Sequence, residues 1–182
     1  AKNYDAASAL LAKAQDVAAL YGDEEKAAEA KALENQELMA QANDLLKAKN
    51  YVGAIAVYNE IMAADPDNAM AALRLGQWYA ATGDVAKAES ALAIAAANGQ
   101  EKQANKQLSN IYVKKAAASL KAKKTQEAYN YALKSIEYLE NGTALKIAGQ
   151  TAMTLGKTAE GVEYLKKYVE VSPNASDANQ MR

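Results

Sequence analysis

The chain contains no cysteine, no histidine and no phenylalanine, and it has only two prolines among 182 residues. The lack of cysteine excludes disulfide bonds and thiolate metal sites. The lack of histidine removes the usual general base near neutral pH and the most common zinc ligand. The remaining reactive side chains follow no nucleophile, phosphate-loop or calcium-loop motif. We therefore predict a protein that is not an enzyme and that uses no cofactor and no metal.

The chain also lacks an excess of either charge and any long apolar run. The formal net charge is −1, which gives no general attraction for nucleic acid or for an anionic membrane. No apolar run reaches the roughly 18 residues that a membrane-spanning helix needs, so we predict no direct membrane insertion. The chain does not begin with Met and opens without a signal-peptide pattern, so we expect a processed or trimmed chain. Together with the missing cysteine, this favours a bacterial periplasm or cell envelope, with the cytoplasm as the alternative.

What the sequence does contain is alanine, leucine, lysine, glutamate and glutamine, a mixture that favours helix almost everywhere. It also contains an internal repeat. The segment AKNYDAA at residues 1–7 returns as AKNYVGA at residues 48–54, and a helical alanine and leucine pattern follows each copy. Internal repeats with periods of about 20–50 residues indicate stacked helical or strand units.

The clearest unit has eight residues at characteristic positions: Ala72, Leu75, Gly76, Tyr79, Gly83, Asp84, Ala88 and Leu92. This pattern resembles the tetratricopeptide repeat. In such a unit Gly76 lets a second helix approach closely, while Gly83 ends the first helix and Asp84 caps the next. The corresponding small residues are Ala7, Ala54, Ala88, Ala128 and Gly161, which are spaced by 47, 34, 40 and 33 positions. The spacings of 34 and 33 match the family's period of about 34, and the other two are longer.

The resemblance implies an all-α protein, a right-handed α-solenoid of antiparallel helix pairs with about nine helices. The two long spacings, which contain no helix breaker, predict lengthened first helices near residues 24–49 and 101–122. The residues predicted to cap helix N-termini are Asp23, Asp84, Thr125, Thr143 and Thr158. A closed helical bundle is the alternative architecture, because the same periodicity fits it.

The predicted organisation is a single solenoid over residues 1–182, divided by the repeat frame. Its parts are a partial repeat with a second helix only (1–22), a repeat with an extended first helix (23–67), a repeat (68–100), a degenerate repeat with an extended first helix (101–141), a repeat (142–174) and a polar tail (175–182).

In this family an open stack leaves a concave groove lined by the first helices, and its members generally bind a peptide or another protein there. The residues expected to line the groove are Met39, Asn43, Lys47, Met70, Arg74, Gln77, Asn110, Lys114, Lys121, Lys146 and Gln150, and the apolar Leu73 and Ile147 are expected beside them. Five of these residues are basic and none is acidic. That balance predicts a partner with acidic residues or a free C-terminus. The alternative is a set of solvated lysines with no binding role.

Two functional hypotheses follow. The first is a protein–protein interaction scaffold or adaptor that binds a protein or peptide segment in the groove. The second is a structural element that forms a homo-oligomer through its long helices or its N-terminal half-repeat, where Leu10, Leu11, Val17 and Leu20 lack an upstream neighbour. Nucleic-acid binding is not expected, because the charge is balanced and most tyrosines have positions in the repeat core. A C-terminal carboxylate clamp like that of some family members is not expected either, because only Asn43 matches it.

Overall fold

A computed structural model describes residues 3–178 of the chain, apart from the side chain of Asp5, and within this range the regular structure is entirely helical. The predicted all-α class is therefore confirmed. The helices are α1 (Tyr4–Leu20), α2 (Glu24–Lys47), α3 (Tyr51–Ala64), α4 (Ala69–Thr82), α5 (Val85–Ala95), α6 (Glu101–Lys121), α7 (Thr125–Tyr138), α8 (Gly142–Thr154) and α9 (Thr158–Val171).

The helix count depends on the connection between α5 and α6. These two helices are joined by a kinked five-residue segment, Ala96–Gln100, in which π-type hydrogen bonds continue although the backbone leaves the helical region at Asn98 and at Gly99, whose φ is 96°. Counted as continuous helical runs, residues 3–178 form eight helices, so the predicted number of nine is one too high. The two lengthened first helices are confirmed, since α2 has 24 residues and α6 has 21.

Short polar side chains fix most helix starts by accepting a hydrogen bond from a free backbone N–H, as Asp23 and Asp84 were predicted to do. Asn50, Asn68 and Asn141 do the same for α3, α4 and α8. The predicted threonine caps at Thr125, Thr143 and Thr158 are wrong. Thr125 and Thr158 are the first residues of their helices, where no side chain caps the preceding turn, and Asn141 caps α8 in place of Thr143.

The helices form an open stack, in which each helix packs against the next one along the chain. The buried residues fall into three separate clusters, so the chain is an α-solenoid and the closed-bundle alternative is wrong. The first helices α4, α6 and α8 also contact one another in succession. No comparable contact joins the second helices α3, α5, α7 and α9 within the described range. The stack therefore curves with its first helices on the inner side.

Close helix crossings depend on two glycines at equivalent repeat positions. A Cβ atom added to Gly76 would lie 2.5 Å from the Leu92 side chain, and one added to Gly149 would lie 2.6 Å from the Leu165 side chain. Both distances are far below van der Waals contact. The two glycines therefore set how closely α4 approaches α5 and how closely α8 approaches α9.

Candidate functional site

The inner surface of the stack is formed by one side of α2, α4, α6 and α8. Eight of the predicted groove residues are exposed there: Asn43, Lys47, Met70, Arg74, Asn110, Lys114, Lys121 and Gln150. Met39, Gln77 and Lys146 are half-buried. Leu73 and Ile147 were expected at this surface, and that expectation is wrong, because their side chains are only 4% and 6% exposed. The contacts of α6 with α4 and with α8 cover these two positions.

Two of the five inner basic residues have carboxylate partners. Lys47 Nζ lies 3.2 Å from Asp44 Oδ1, and Lys146 is paired with Asp177. The other three are Arg74, Lys114 and Lys121. Within residues 3–178, none of these three has a carboxylate at ion-pair distance. The inner surface therefore keeps one uncompensated cation on α4 and two on α6.

The partner of Lys146 comes from the segment after α9. The predicted polar tail, residues 175–182, is described only to residue 178, and its remaining residues lie outside the described range. The Tyr168 hydroxyl donates to Asp177 Oδ1 at 2.5 Å, and Ala178 is fully buried. Hydrogen bonds from Lys146 and Tyr168 hold the pKa of Asp177 below its usual range. This segment therefore folds back onto α8 and α9.

A cleft opens on the inner surface where α2, α3 and α4 meet, and we call it the α2–α4 cleft. Its volume is about 390 Å³, and its lining residues are Leu46, Tyr51, Ile55, Tyr58, Arg74, Gln77, Trp78 and Ala81. The rings of Tyr51 and Trp78 stack with their centroids 5.6 Å apart and their planes at 26°. The cleft exists because α2 makes no contact with α4 comparable to the contact that α4 makes with α6.

The α2–α4 cleft contains one polar atom that is buried without a hydrogen bond. Tyr58 is only 1% exposed, and within the described residues its hydroxyl has no hydrogen-bond partner. Burial raises the pKa of Tyr58, so the hydroxyl stays protonated at neutral pH. At the edge of the cleft, Arg74 Nη1 donates to Gln77 Oε1 at 3.3 Å. The sequence pattern placed Tyr58 in the repeat core, and it contained no signal that the hydroxyl would be unpaired.

A second group of aromatic residues lies between α6 and α7, and in this group the hydroxyl of the buried Tyr112 is engaged. The Tyr112 hydroxyl donates to Glu89 Oε1 at 2.8 Å, and the ring of Tyr112 stacks on Tyr138. The ammonium groups of Lys115 and Lys134 lie 4.5 Å from the ring centres of Tyr131 and Tyr112, respectively. These contacts join neighbouring helices, which is a structural role.

The described residues contain neither a metal site nor a helix that could span a membrane. No group of three or more acidic side chains there is placed to hold a metal ion. In the same range, no helix combines the length and the apolar character that a bilayer crossing requires.

Comparison with known proteins supports the repeat assignment. Residues 45–111 match the sequence profile of the tetratricopeptide repeat family, which confirms the resemblance seen around Gly76. A crystal structure of MamA protein is 20% identical, with a TM-score of 0.51 over 81% of this chain and 78% of that one. The MamA structure designated AMB-1 is 15% identical, with a TM-score of 0.51 over 97% and 98%. At these identities the similarity shows a shared fold. No curated protein sequence matches the chain.

Proposed function

We propose that this chain, whose residues 45–111 belong to the tetratricopeptide repeat family, is a non-enzymatic scaffold that binds a segment of another protein on its inner surface. The observation that supports this function is the set of exposed cations Arg74, Lys114 and Lys121 on α4 and α6. Within residues 3–178 no carboxylate compensates them. The partner segment is acidic, because its carboxylates would supply the charge that this surface lacks.

Each charge pair at such an exposed surface contributes only about 0.2–1 kcal/mol, because water and salt screen it. The cations therefore set the partner's orientation and its rate of association more than its affinity. Apolar contacts supply the rest, and the inner surface offers the exposed Met70 and the half-buried Met39 and Leu46 for them. Binding is expected to weaken at high salt without being lost.

The test is a charge-reversal variant in which Arg74, Lys114 and Lys121 are all changed to Glu. Its matched control changes Lys31, Lys102 and Lys166 to Glu, three exposed lysines outside the predicted groove and outside the cleft at α1. Both variants alter the net charge equally, so general electrostatic effects cancel. Proteins captured from a native extract by each immobilised variant are then compared by quantitative mass spectrometry.

We expect partners that bind the wild type and the control to be lost from the groove variant. Equal recovery of every partner by all three proteins would contradict the proposal. Loss in both variants would mean that the net charge, and not the inner surface, determines binding.

A second candidate function is self-association, which is favoured by an exposed apolar face at α1. Leu10, Val17 and Tyr21 are 67%, 54% and 81% exposed. They line a cleft of about 500 Å³ together with Lys13, Ala14, Ala18, Asp23 and Lys26. Leu20, at the end of the same helix, is also exposed. Exposed apolar patches of this kind mark contact sites between proteins.

Sedimentation velocity tests this alternative. If the α1 face pairs two copies, the mass of the wild type will rise with concentration, and the double variant Leu10→Glu and Val17→Glu will remain monomeric. A monomer at every concentration would reject self-association and leave the scaffold proposal unaffected.

A further inference from the structure

We infer that the α2–α4 cleft binds the carboxylate of a glutamate side chain that lies between apolar residues in an extended segment of the partner. This inference rests on the proposed function and specifies the chemistry of one position on the inner surface. Three properties of the cleft support it: an unpaired buried donor, an adjacent uncompensated cation, and apolar walls.

The unpaired donor is the Tyr58 hydroxyl. A buried polar group without a hydrogen bond costs about 1–3 kcal/mol, so folded proteins rarely retain one without a reason. Tyr58 lines the cleft, and its hydroxyl stays protonated at neutral pH. The hydroxyl itself has almost no exposed surface, so the side chains around it must shift to admit a ligand oxygen, to which it would then donate.

The cation is Arg74, which lines the same cleft and whose charge lowers the pKa of Tyr58 against the larger raising effect of burial. Its described hydrogen bond is made to the neutral amide of Gln77, which orients the guanidinium without neutralising it. Arginine stays charged at all relevant pH values and has several donors in one plane. Arg74 and Tyr58 both donate, so the complementary group is an acceptor with negative charge. A carboxylate has these properties, whereas an amide lacks the charge.

The walls of the cleft are apolar and aromatic. Leu46 and Ile55 lie on one side, and Trp78, stacked on Tyr51, lies on the other. Such walls favour a ligand with aliphatic groups next to its carboxylate. A glutamate side chain brings two methylene groups, and neighbouring leucine or isoleucine residues would cover the exposed edge of Tyr51. Excluding water in this way would strengthen the contact between the carboxylate and Arg74.

The shape of the inner surface favours an internal glutamate over a chain terminus. The surface continues beyond the cleft on both sides, to Asn43 and Lys47 on α2 and to Lys114 on α6. A segment can therefore run across the first helices, with one side chain directed into the cleft. Lys47 is already paired with Asp44, so no second free cation lies on the α2 side to select a terminal carboxylate.

The test uses Trp78, the only tryptophan in the chain, as a fluorescent reporter inside the cleft. Three decapeptides with a common apolar sequence serve as probes. The first has a central Leu-Glu-Leu and blocked termini, the second has Leu-Gln-Leu and blocked termini, and the third has Leu-Gln-Leu with a free C-terminal carboxylate. The tryptophan emission of the full chain is followed while each peptide is added.

We expect the glutamate peptide to change the emission with saturation and to bind at least about tenfold more tightly than the blocked glutamine peptide, the effect of a hydrogen-bonded charge. The variant Arg74→Gln should weaken glutamate binding about tenfold, and Tyr58→Phe should weaken it about fivefold. The matched control Lys166→Gln removes an exposed cation on α9, outside the predicted groove, and should change the affinity by less than about twofold.

Four results would overturn the inference: no binding of the glutamate peptide, equal binding of both blocked peptides, preference for the free C-terminus, or an unchanged affinity in Tyr58→Phe. Thermal unfolding of each variant shows whether it is folded, and Tyr58→Phe is expected to unfold at the wild-type temperature or slightly above it. These failures are distinct from failure of the proposed function. Partner capture that depends on Arg74, Lys114 and Lys121 but not on Tyr58 would keep the scaffold and reject the glutamate site.

Discussion

Two junctions between first helices differ in how they treat buried polar groups. At the junction of α6 with α8, Ser109 Oγ on α6 lies 2.9 Å from Ser135 Oγ on the intervening helix α7, and Asn141 Nδ2, at the start of α8, donates to both of them. Helices α6 and α8 are also in direct contact. At the junction of α2 with α4, the helices stay apart, a cleft opens, and the Tyr58 hydroxyl is buried without a partner.

The α6–α8 and α2–α4 junctions belong to the same repeat pattern but use their polar side chains in two different ways. A fully satisfied network fixes the angle between neighbouring repeats, because breaking any member leaves the others unpaired. A junction with an unsatisfied donor leaves room for a ligand to provide the missing acceptor. The α6–α8 junction therefore stabilises the stack, and the α2–α4 junction is the site where we place recognition.

The largest expected effect comes from removing the residue at the centre of the α6–α8 network. Asn141 caps α8 by accepting from the Ala144 N–H at 2.9 Å, and its Nδ2, which has two hydrogens to donate, lies within 3.1 Å of both serine Oγ atoms and of the Leu139 carbonyl oxygen. We expect Asn141→Ala to lower the free energy of unfolding by about 3 kcal/mol, the sum of a lost cap and of lost buried hydrogen bonds. Urea denaturation followed by circular dichroism measures this change.

The matched change at the α2–α4 junction is Asn68→Ala. Asn68 caps α4 by accepting from the Ala71 N–H at 3.1 Å and donates to Asp65 Oδ2 at 3.0 Å, an oxygen that also accepts from Asn35 on α2. We expect a loss of about 1.5 kcal/mol, because only one part-buried side-chain hydrogen bond is lost with the cap. Equal losses in the two variants would show that the network adds nothing beyond capping, and the contrast between the junctions would then be lost.

An intermediate effect is expected from removing one hydroxyl at each of two buried tyrosines. The Tyr112 hydroxyl donates to Glu89, so Tyr112→Phe should cost about 1.5 kcal/mol, the value of a hydrogen bond to a charged group. The Tyr58 hydroxyl has no partner in the described residues, so Tyr58→Phe should leave stability unchanged or raise it by about 0.5 kcal/mol. Both rings are retained, so packing is matched and urea denaturation isolates the hydroxyl.

A substantial loss in Tyr58→Phe would mean that an ordered water or another group satisfies this hydroxyl in the unliganded protein. The α2–α4 junction would then resemble the α6–α8 junction in its polar chemistry, and the main argument for a carboxylate site would fail.

Much of the solenoid could be predicted from local signals. Gly83 and Asp84 mark the end of one helix and the start of the next, and the absence of any breaker predicted the length of α2. These features depend on residues close together in the sequence. The threonine caps failed because a threonine can also occupy the first helical position, and Thr125 and Thr158 do so. The division of the chain into repeats stays a prediction.

The candidate site could be predicted only in outline. Helical spacing placed Arg74 and Gln77 on one side of α4, where the structure has them together in one cleft. It could not reveal that α2 stays apart from α4, which depends on how Tyr51, Trp78 and Leu46 pack between separate repeats. Leu73 and Ile147 were misplaced for the same reason, because a neighbouring first helix covers them. The binding role of the groove residues stays a prediction.

The smallest expected effect concerns the tail segment, which supplies a carboxylate to Lys146 at the far end of the inner surface. The pKa of Asp177 is lowered by Lys146 and Tyr168, so its contribution to stability is complete above the ordinary aspartate pKa of about 4 and is lost as the pH falls through the lower folded value. Asp177→Asn should therefore be slightly less stable than the wild type at pH 6, with the gap closing in acid. Urea denaturation at a series of pH values measures the gap. A stability difference that persists unchanged below the folded pKa would show that Asp177 holds the tail without its charge. Lys146 would then act as an uncompensated cation at the α8 end of the inner surface, comparable to Arg74.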